Sequence, residues 1–239
     1  MKIGYDFDLY ERGYNIPINL DENSYKHLSL TGASGTGKSY ALIYLISNYL
    51  KKYGHNIDLY FCDFKNEYEV FSQCKKYYDD ESYYLGLESF YLRFKARKKK
   101  EDLSSNMLIC VLEEWPSYLI YLNNTDKSLY KKSVAYIQEL LMQGRSFNCC
   151  VWVIGQRLDA KYFPDGIRES IHTIIALGKL SSESKKMIGL NSDYELPERD
   201  FFDIGEGVVV FNDNRCLNIK FPKIKNYSEA LLLISKFLD

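Results

Sequence analysis

The sequence predicts an α/β fold in which a largely parallel central sheet is flanked by helices. Short apolar runs typical of buried strands alternate with longer stretches of helical spacing. With 239 residues, 46% of them hydrophobic, the chain suits one large domain with a sizeable core. We predict a single domain with an amino-terminal β extension at 1–26, a core at 27–205, and a carboxy-terminal hairpin and helix at 206–239.

A glycine-rich segment at 32–39 matches the pattern G-x-x-x-x-G-K-[ST] of a phosphate-binding loop. Glycines let consecutive backbone N–H groups point at one anion, and the following helix adds its positive end. Lys38 would reach the β- and γ-phosphates of a nucleotide, and the Ser39 hydroxyl would bind Mg²⁺. A chance match is the alternative, but a predicted strand before the loop and an apolar helix at 39–52 supply the required setting. The predicted nucleotide-binding residues are Gly32, Ala33, Ser34, Gly35, Thr36, Gly37, Lys38, Ser39 and Tyr40.

The segments on either side of the loop follow the same alternation. Weak alternation predicts two short strands, within 3–10 and 14–20, that lead into the loop strand. After the apolar helix, a buried strand is predicted at 56–62, followed by helices at 66–78 and 85–104.

The second of these helices carries a basic run with two interpretations. It would contact DNA phosphates, or it would form a solvated helix face beside Glu101 and Asp102. We favour the solvated face, because charge runs usually face water. The run comprises Arg93, Lys95, Arg97, Lys98, Lys99 and Lys100.

Six apolar residues at 107–112 predict the central strand of a covered parallel sheet, and Glu113 and Glu114 follow directly. An acid at the end of such a strand can hold Mg²⁺ through water, and a second acid can polarise the attacking water. We therefore assign Glu113 to the metal and Glu114 to the water. The alternative is two solvent-facing carboxylates. Aspartate is more usual in the first position, so the longer Glu113 leaves the Mg²⁺ geometry open.

The remaining chain continues the pattern. A polar amide at Gln156, after a predicted strand, is a candidate γ-phosphate sensor or an ordinary turn residue. The predicted elements are a helix at 126–144, strands at 149–154 and 173–177, a helix at 181–188, a hairpin at 206–211 and 216–221, and a helix at 227–238.

Composition limits the location and the partners. The formal net charge of −1 provides no global basic field for nucleic acid, although a local patch on a ring is not excluded. The six cysteines form no C-x-x-C pair, which favours buried thiols in a reducing compartment. No signal peptide and no apolar run of membrane-spanning length is visible. We expect a cytoplasmic protein unless a partner tethers it.

Taken in order, these motifs resemble the FtsK/HerA superfamily of ring-forming DNA-pumping ATPases, and FtsK-like motor domains and conjugative coupling proteins most closely. The resemblance covers roughly 14–211, and it includes 166–178 as the segment after the sensor. Its motifs are Gly-Ala-Ser-Gly-Thr-Gly-Lys-Ser at 32–39, Leu-Ile-Cys-Val-Leu-Glu-Glu-Trp at 108–115, Gln-Gly-Arg-Ser at 143–146 and Val-Ile-Gly-Gln-Arg at 153–157.

The resemblance implies a RecA-like P-loop NTPase fold, with ATP and Mg²⁺ as cofactors. It implies that Glu114 is the general base, Gln156 the γ-phosphate sensor, and Arg145 an arginine finger that enters a neighbouring subunit's site. Arg157 would be a second arginine that faces phosphate, or it would have a structural role. The expected assembly is a homohexameric ring around double-stranded DNA.

Two features of the resembled proteins, an amino-terminal membrane segment and a winged-helix domain, are not seen in this sequence. We therefore expect a bare motor for conjugation, plasmid or phage DNA transfer or packaging, and leave open a membrane or relaxase-type protein partner. One alternative is an ATPase that powers protein assembly or secretion, such as filamentous-phage extrusion. A second is a nucleotide-gated binding module that does not hydrolyse ATP.

Overall fold

A computed structural model describes residues 1–20, 27–163, 168–190, 203–213 and 215–239 of the chain. The strands are β1 (Lys2–Asp6), β2 (Pro17–Asn19), β3 (Leu28–Gly32), β4 (Ile57–Asp63), β5 (Tyr77–Tyr78), β6 (Met107–Glu113), β7 (Cys149–Gly155), β8 (Thr173–Leu177), β9 (Glu206–Phe211) and β10 (Cys216–Lys220). The helices are α1 (Phe7–Glu11), α2 (Lys38–Tyr53), α3 (Tyr83–Lys98), α4 (Trp115–Thr125), α5 (Lys127–Gln143), α6 (Ser182–Met187) and α7 (Tyr227–Leu238).

Within the described residues, the strands form one ten-stranded sheet in the order β2-β1-β10-β9-β8-β3-β7-β6-β4-β5. The six strands from β8 to β5 are parallel, whereas β9, β10, β1 and β2 extend the β8 edge as antiparallel neighbours. The predicted α/β class with a largely parallel sheet is therefore confirmed. The carboxyl ends of β3, β7 and β6 lie side by side at one edge, which is where parallel α/β sheets bind ligands.

Two hydrophobic clusters cover the two faces of the sheet. Alternate residues of β4 show the division, since Leu59 and Phe61 belong to one cluster and Tyr60 and Cys62 to the other. The first cluster contains the buried faces of α2 and α7, and the second contains those of α3, α4 and α5. Each fully buried large apolar side chain stabilises the fold by about 1.5–3 kcal/mol, so this two-sided core fixes the strand ends.

The amino-terminal prediction is partly wrong. A strand was expected within 3–10, but the chain leaves β1 at Asp6 and forms α1. The cause is local, because the Asp6 carboxylate accepts a hydrogen bond of 3.0 Å from the Leu9 N–H and caps the helix. The second predicted strand, within 14–20, is confirmed as the short β2. Residues 21–26 of the predicted β extension lie outside the described residues.

The predicted helix at 66–78 is wrong. This segment holds one turn of 3₁₀-helix at Glu69–Phe71 and then β5. Asn66 has φ 55°, which an α-helix does not accommodate. The Asp63 carboxylate accepts hydrogen bonds from the Tyr68 N–H and the Tyr77 hydroxyl, both of 2.8 Å, and so folds the segment back on itself.

The later helix predictions are closer to the structure. The helix expected at 85–104 is α3, which ends near Lys98 because Lys100 adopts φ 61°. The helix α4 was not predicted. The remaining predicted elements of the core and the carboxy terminus are confirmed to within about two residues, namely α2, β4, β6, α5, β7, β8, α6, β9, β10 and α7. Residues 191–202 of the predicted core and Asn214 of the hairpin turn lie outside the described part.

The basic run of α3 is largely neutralised by acids of neighbouring segments. Arg93 lies 2.9 Å from the Asp58 carboxylate, and the Arg97 Nε lies 3.2 Å from Asp102. Lys95 and Lys98 both contact Glu139, at 3.1 and 2.7 Å. The DNA-contact interpretation therefore loses its main support. The solvated-face interpretation holds only for Lys99 and Lys100, which are exposed, since Arg97 is buried.

The six cysteines are all free thiols, and four of them are buried, as the sequence predicts. Across the described ranges, no helix combines the length and the apolar character needed to cross a membrane.

Candidate functional site

The phosphate-binding loop lies between β3 and α2 at the carboxyl edge of the sheet. Gly35 and Gly37 have φ values of 81° and 92°, which side chains with a Cβ rarely adopt. The Thr36 hydroxyl and the Lys38 ammonium both donate to the Ala33 carbonyl, at 2.8 and 3.1 Å. These contacts hold the loop in a closed turn around the space where phosphate would bind.

The helix α2 begins at this loop without a side-chain cap, since Gly37 occupies the N-cap position. Its first-turn N–H groups are thus available to an anion, in line with the predicted phosphate cradle of 32–39. The sequence-predicted Ser39 lies on that first turn, where its hydroxyl donates to Glu67 Oε2 at 3.2 Å. Tyr40 follows, and its hydroxyl accepts a hydrogen bond from the Ile224 N–H.

Glu113 ends β6 and is only 3% exposed. Burial, together with the nearby negative charges of Glu114 and Asp63, raises its pKa to about 9. Its Oε2 atom has no hydrogen-bond partner among the described residues. A buried carboxylate of this kind is stabilised by a cation, so the residue fits a role beside Mg²⁺.

Glu114 takes an unusual backbone conformation at the start of α4, with φ 49° and ψ 39°. Its carboxylate is buried and held from two sides, by the Lys65 ammonium at 2.8 Å and by the Ser117 hydroxyl at 2.8 Å. A left-handed conformation in a residue other than glycine costs free energy and occurs often at functional sites. The two contacts fix the direction in which this carboxylate can accept a proton.

The charges of the loop and of the acids meet at Lys38. Burial lowers the pKa of Lys38, while the negative charges of Glu114, Glu113 and Glu67 act to raise it. The structure therefore places the loop lysine and the paired acids in one electrostatic environment. Two solvent-facing carboxylates, the alternative that the sequence left open, are not observed, because both glutamates are buried.

Three residues of this edge were not predicted as site residues, namely Asp63, Lys65 and Glu67. Asp63 ends β4 opposite Glu113 in the register, and it shapes the turn that carries Lys65 toward Glu114. The signal was present in the sequence. Polar residues follow a predicted buried strand at 63–67, as they follow the strand that ends in the two glutamates.

Gln156 follows β7, which lies between β3 and β6. It lines a cavity of about 230 Å³ together with Gly32 and Ala33 of the loop, so the amide lies beside the phosphate-binding segment. Arg157 lines the same cavity, and its guanidinium lies 3.5 Å from the exposed Glu183 carboxylate. Gln156 therefore lies near the loop, and its role as a phosphate sensor stays a prediction, while Arg157 has an acidic partner of its own.

Arg145 lies at the other end of β7, in a 3₁₀ turn at Gly144–Phe147. With seven residues in the strand, this exposed side chain begins roughly 20 Å from Gln156 and the loop. Its positive charge lowers the pKa of His172, in addition to the larger effect of burial. Arg145 is thus remote from the nucleotide site of its own chain, and its assignment as an arginine finger stays a prediction.

The donor set fits Mg²⁺ that arrives together with a nucleotide. No group of three or more His, Cys, Asp or Glu side chains in the described part of the chain is arranged to hold a metal ion by itself. Mg²⁺ is usually bound by one or two carboxylates together with substrate phosphates and waters. Ser39 and Glu113 provide a hydroxyl and a buried carboxylate beside the loop.

Comparison with known proteins identifies the fold. No protein-family model matches the chain, and no curated protein matches it either. Among solved structures, the conjugation coupling protein TcpA of pCW3, in a monomer form with ATPγS, aligns over 98% of this chain and 70% of its own, with 19% identity and a TM-score of 0.72.

Two other solved structures extend the comparison. EssC (ATPases 2 and 3) from Geobacillus thermodenitrificans is 16% identical over 100% of this chain and 47% of its own, with a TM-score of 0.70. The genome packaging NTPase B204 of Sulfolobus turreted icosahedral virus 2, in complex with AMPPCP, is 17% identical over 84% of this chain and 99% of its own, with a TM-score of 0.54. The chain thus spans about half the length of the EssC chain. The resemblance drawn from the motifs is confirmed at the level of architecture: the chain has the fold of FtsK/HerA-type P-loop ATPases.

Proposed function

We propose that the protein is a Mg²⁺-dependent ATPase that drives DNA through a ring of identical subunits, in conjugation or in plasmid or phage DNA transfer or packaging. The observation that supports this most is the buried Glu114 carboxylate, held by Lys65 and Ser117 beside the phosphate-binding loop. A nucleotide-binding module without hydrolysis has no evident need for an acid fixed in this way. The similar folds of a coupling protein and a packaging NTPase add support.

In this proposal the loop and α2 bind the triphosphate, and Lys38 neutralises the β- and γ-phosphates. Bound Mg²⁺ would supply further neutralisation of the phosphate oxygens, with Ser39 and Glu113 as the residues that hold it. Glu114 orients the attacking water and accepts its proton. The side-chain amide of Gln156 donates a hydrogen bond to the γ-phosphate and so distinguishes the triphosphate from the diphosphate.

Arg145 completes the site of the adjacent subunit. A guanidinium keeps its charge and forms two parallel hydrogen bonds with phosphate oxygens, so it stabilises the charge that develops during hydrolysis. Because Arg145 begins roughly 20 Å from the loop of its own chain, hydrolysis depends on assembly. The expected assembly is a homohexamer around double-stranded DNA in the cytoplasm, with a membrane or relaxase-type protein as a further partner.

An ATPase that powers protein assembly or secretion is the second candidate. The observations that favour it are the formal net charge of −1 and the ion pairs that neutralise the basic run of α3. The chemistry of the site would be the same, and only the transported polymer would differ.

The test is the ATPase rate measured against protein concentration, with and without duplex DNA at low salt. The motor proposal predicts that the ATPase rate per subunit rises with protein concentration, because Arg145 acts between subunits. It also predicts that duplex DNA raises this rate further. A rate unaffected by DNA but stimulated by a coat or membrane protein would select the second candidate. An absence of hydrolysis under all conditions would contradict both.

A further inference from the structure

A basic groove lies on the α2 side of the molecule, apart from the nucleotide site. It is a cavity of about 680 Å³ between the amino-terminal strand, the second half of α2 and the segment that precedes α7. Five lysines and, among the described residues, a single carboxylate line it. They are Lys2, Lys51, Lys52, Lys223, Lys225 and Glu229.

The five lysines come from three separate parts of the sequence, which the sheet topology brings together. Lys2 begins β1, which joins the sheet beside β10. Lys51 and Lys52 lie in the last turn of α2, where cations favour the negative end of the helix. Lys223 and Lys225 flank Ile224, whose side chain packs on the core and whose N–H donates to the Tyr40 hydroxyl. With Ile224 directed inward, its two neighbours are left exposed at the groove.

The groove differs from the basic run of α3 because four of its five lysines have no carboxylate partner among the described residues. On α3, Arg93, Lys95 and Lys98 are in ion pairs with carboxylates. In the groove, no carboxylate of the described ranges pairs with Lys2, Lys51, Lys223 or Lys225. Instead, the Lys2 ammonium lies over the Tyr5 ring, 3.6 Å from its centroid, a contact that brings no carboxylate to it. Within the described residues, lysines without a carboxylate partner therefore gather in this groove and not in the part of the basic run at 93–98.

We propose that this lysine groove binds the phosphodiester backbone of the DNA that the motor moves, so the inference rests on the proposed function. Lysines bind phosphates as point charges without selecting a base, which suits a motor that must pass any sequence. The groove is far larger than one phosphate needs, and its charges are distributed along its walls. A polymer with one charge per nucleotide matches that distribution better than a single small anion does.

The groove is also connected to the nucleotide site. Tyr40 follows Ser39 directly on the first turn of α2. Its hydroxyl accepts from the Ile224 N–H, and its ring stacks on Tyr227, with the centroids 5.6 Å apart. A movement of the lysine-bearing segment 222–226 is thereby transmitted to the residue beside the phosphate-binding loop. DNA in the groove would then promote the ATPase through Tyr40.

The experiment measures binding of fluorescent duplex DNA to the full chain with ATPγS, over a series of salt concentrations. The test variant is Lys51→Gln/Lys223→Gln/Lys225→Gln. The matched control is Lys127→Gln/Lys131→Gln/Lys132→Gln, which removes the same charge from exposed lysines of α5 on the opposite face of the sheet. Thermal unfolding of both variants verifies that they are folded.

For the groove variant we expect the slope of log affinity against log salt to become shallower by about 2 to 3, since each lost phosphate contact accounts for about 0.9. The control should keep the wild-type slope apart from a small general charge effect. A Tyr40→Phe variant should bind DNA like the wild type but lose most of the stimulation of ATPase by DNA.

If the slope of log affinity against log salt becomes equally shallow in the groove variant and in the control, the assignment of the groove is wrong, while the proposed function stays in place. If the wild type binds no duplex in any nucleotide state, the motor proposal fails together with the groove. If poly-glutamate of equal charge binds the wild type more tightly than duplex does, the occupant is an acidic protein and the DNA assignment is wrong.

Discussion

The Lys65 ammonium lies 2.8 Å from the Glu114 carboxylate, although the two residues follow different strands of the sheet. Burial acts to lower the pKa of Lys65, but the hydrogen bond and the charge of Glu114 raise it above its ordinary value. Lys65 is therefore charged at neutral pH. This ion pair ties the turn after β4 to the start of α4 and fixes the acid that the proposed chemistry requires.

We expect Glu114→Gln to reduce kcat by about 100-fold or more, since a positioned general base typically contributes 100- to 10,000-fold. ATP binding should persist, because the loop and Lys38 are unchanged. Steady-state ATPase kinetics and equilibrium binding of ATPγS measure the two effects. Asp126→Asn, which removes a carboxylate from the cap of α5, is a control outside the site. An unchanged kcat in Glu114→Gln would refute the role of Glu114 and favour the non-hydrolysing module.

Lys38→Ala should abolish turnover and weaken nucleotide binding by at least tenfold, because the side chain supplies the positive charge nearest the phosphate-binding turn. Lys131→Ala, an exposed lysine on α5, serves as the matched control. Calorimetric titration with ATPγS gives the affinity of each variant. Wild-type affinity and turnover in Lys38→Ala would show that the nucleotide is held elsewhere.

Arg145→Ala should lose hydrolysis while retaining ATP binding, because in the proposed ring its side chain acts in the site of the neighbour. Each variant alone lacks one component of every interface. A mixture of Arg145→Ala and Glu114→Gln subunits should recover part of the activity, since some interfaces then combine an intact Arg145 with an intact Glu114. ATPase assays across mixing ratios measure the recovery. If no ratio exceeds the activity of either variant alone, Arg145 does not act in trans.

The apparent affinity for Mg²⁺ together with a non-hydrolysable ATP analogue should rise with pH toward about 9. The pKa of Glu113 is raised to about 9, mainly by burial, so below that pH the metal-free carboxyl group carries a proton. Binding of a cation displaces this proton, and a full proton corresponds to about tenfold in affinity per pH unit. Calorimetry in buffers of different ionisation enthalpy measures the released proton. Glu113→Gln should abolish the release, and equal release from wild type and variant would contradict the assignment.

Glu139 should stabilise the fold at neutral pH and lose this effect in acid. Against the effect of burial, hydrogen bonds from Lys98, Tyr91 and Lys95 lower its pKa to about 2. A depressed pKa in the folded state means that the stabilisation is present above the unfolded value and disappears as the pH falls through the folded one. We expect Glu139→Gln to reduce the free energy of unfolding by about 1 kcal/mol at neutral pH, a value that allows for partial exposure.

Urea unfolding near pH 7 and near pH 3 measures this difference for Glu139→Gln. The control is Glu101→Gln, an exposed glutamate on the same side of the sheet. The difference in the free energy of unfolding between Glu139→Gln and wild type should become smaller at the lower pH. A difference independent of pH would mean that the side chain contributes through packing and not through its charge.

Much of the fold follows from hydrophobic periodicity. The six apolar residues at 107–112 predict a short strand covered on both faces, and the structure has β6 at Met107–Glu113. The prediction of a helix at 66–78 is wrong because contacts distant from the local pattern decide the conformation. The Asp63 carboxylate accepts hydrogen bonds from Tyr68 and Tyr77 and so organises the segment. Hydrogen bonds from a segment to one buried acid are not visible in the hydrophobic periodicity of its sequence.

The residues of the candidate site were also predicted only in part. Lys38, Glu113 and Gln156 were predicted from motifs, and the structure brings them to one edge because each lies at or beyond the carboxyl end of a parallel strand. Lys65 was missed, because its role depends on a contact across two strands. The lysine groove was equally hidden, since it is assembled from residues more than 170 positions apart along the chain, such as Lys51 and Lys223. Charge runs are visible in a sequence, whereas charges gathered by topology are not.

The pairing of β1 with β10 joins Tyr5 to Lys220, so these neighbours in the sheet are separated by more than 200 residues along the sequence. During synthesis on the ribosome, β1 must wait until β10 has emerged. Contacts of such long sequence separation slow folding and prolong the exposure of unpaired edges. We therefore expect that the nascent protein completes its sheet only after β10 has emerged from the ribosome, and that an early stop codon before β10 leaves a product prone to aggregation and rapid proteolysis.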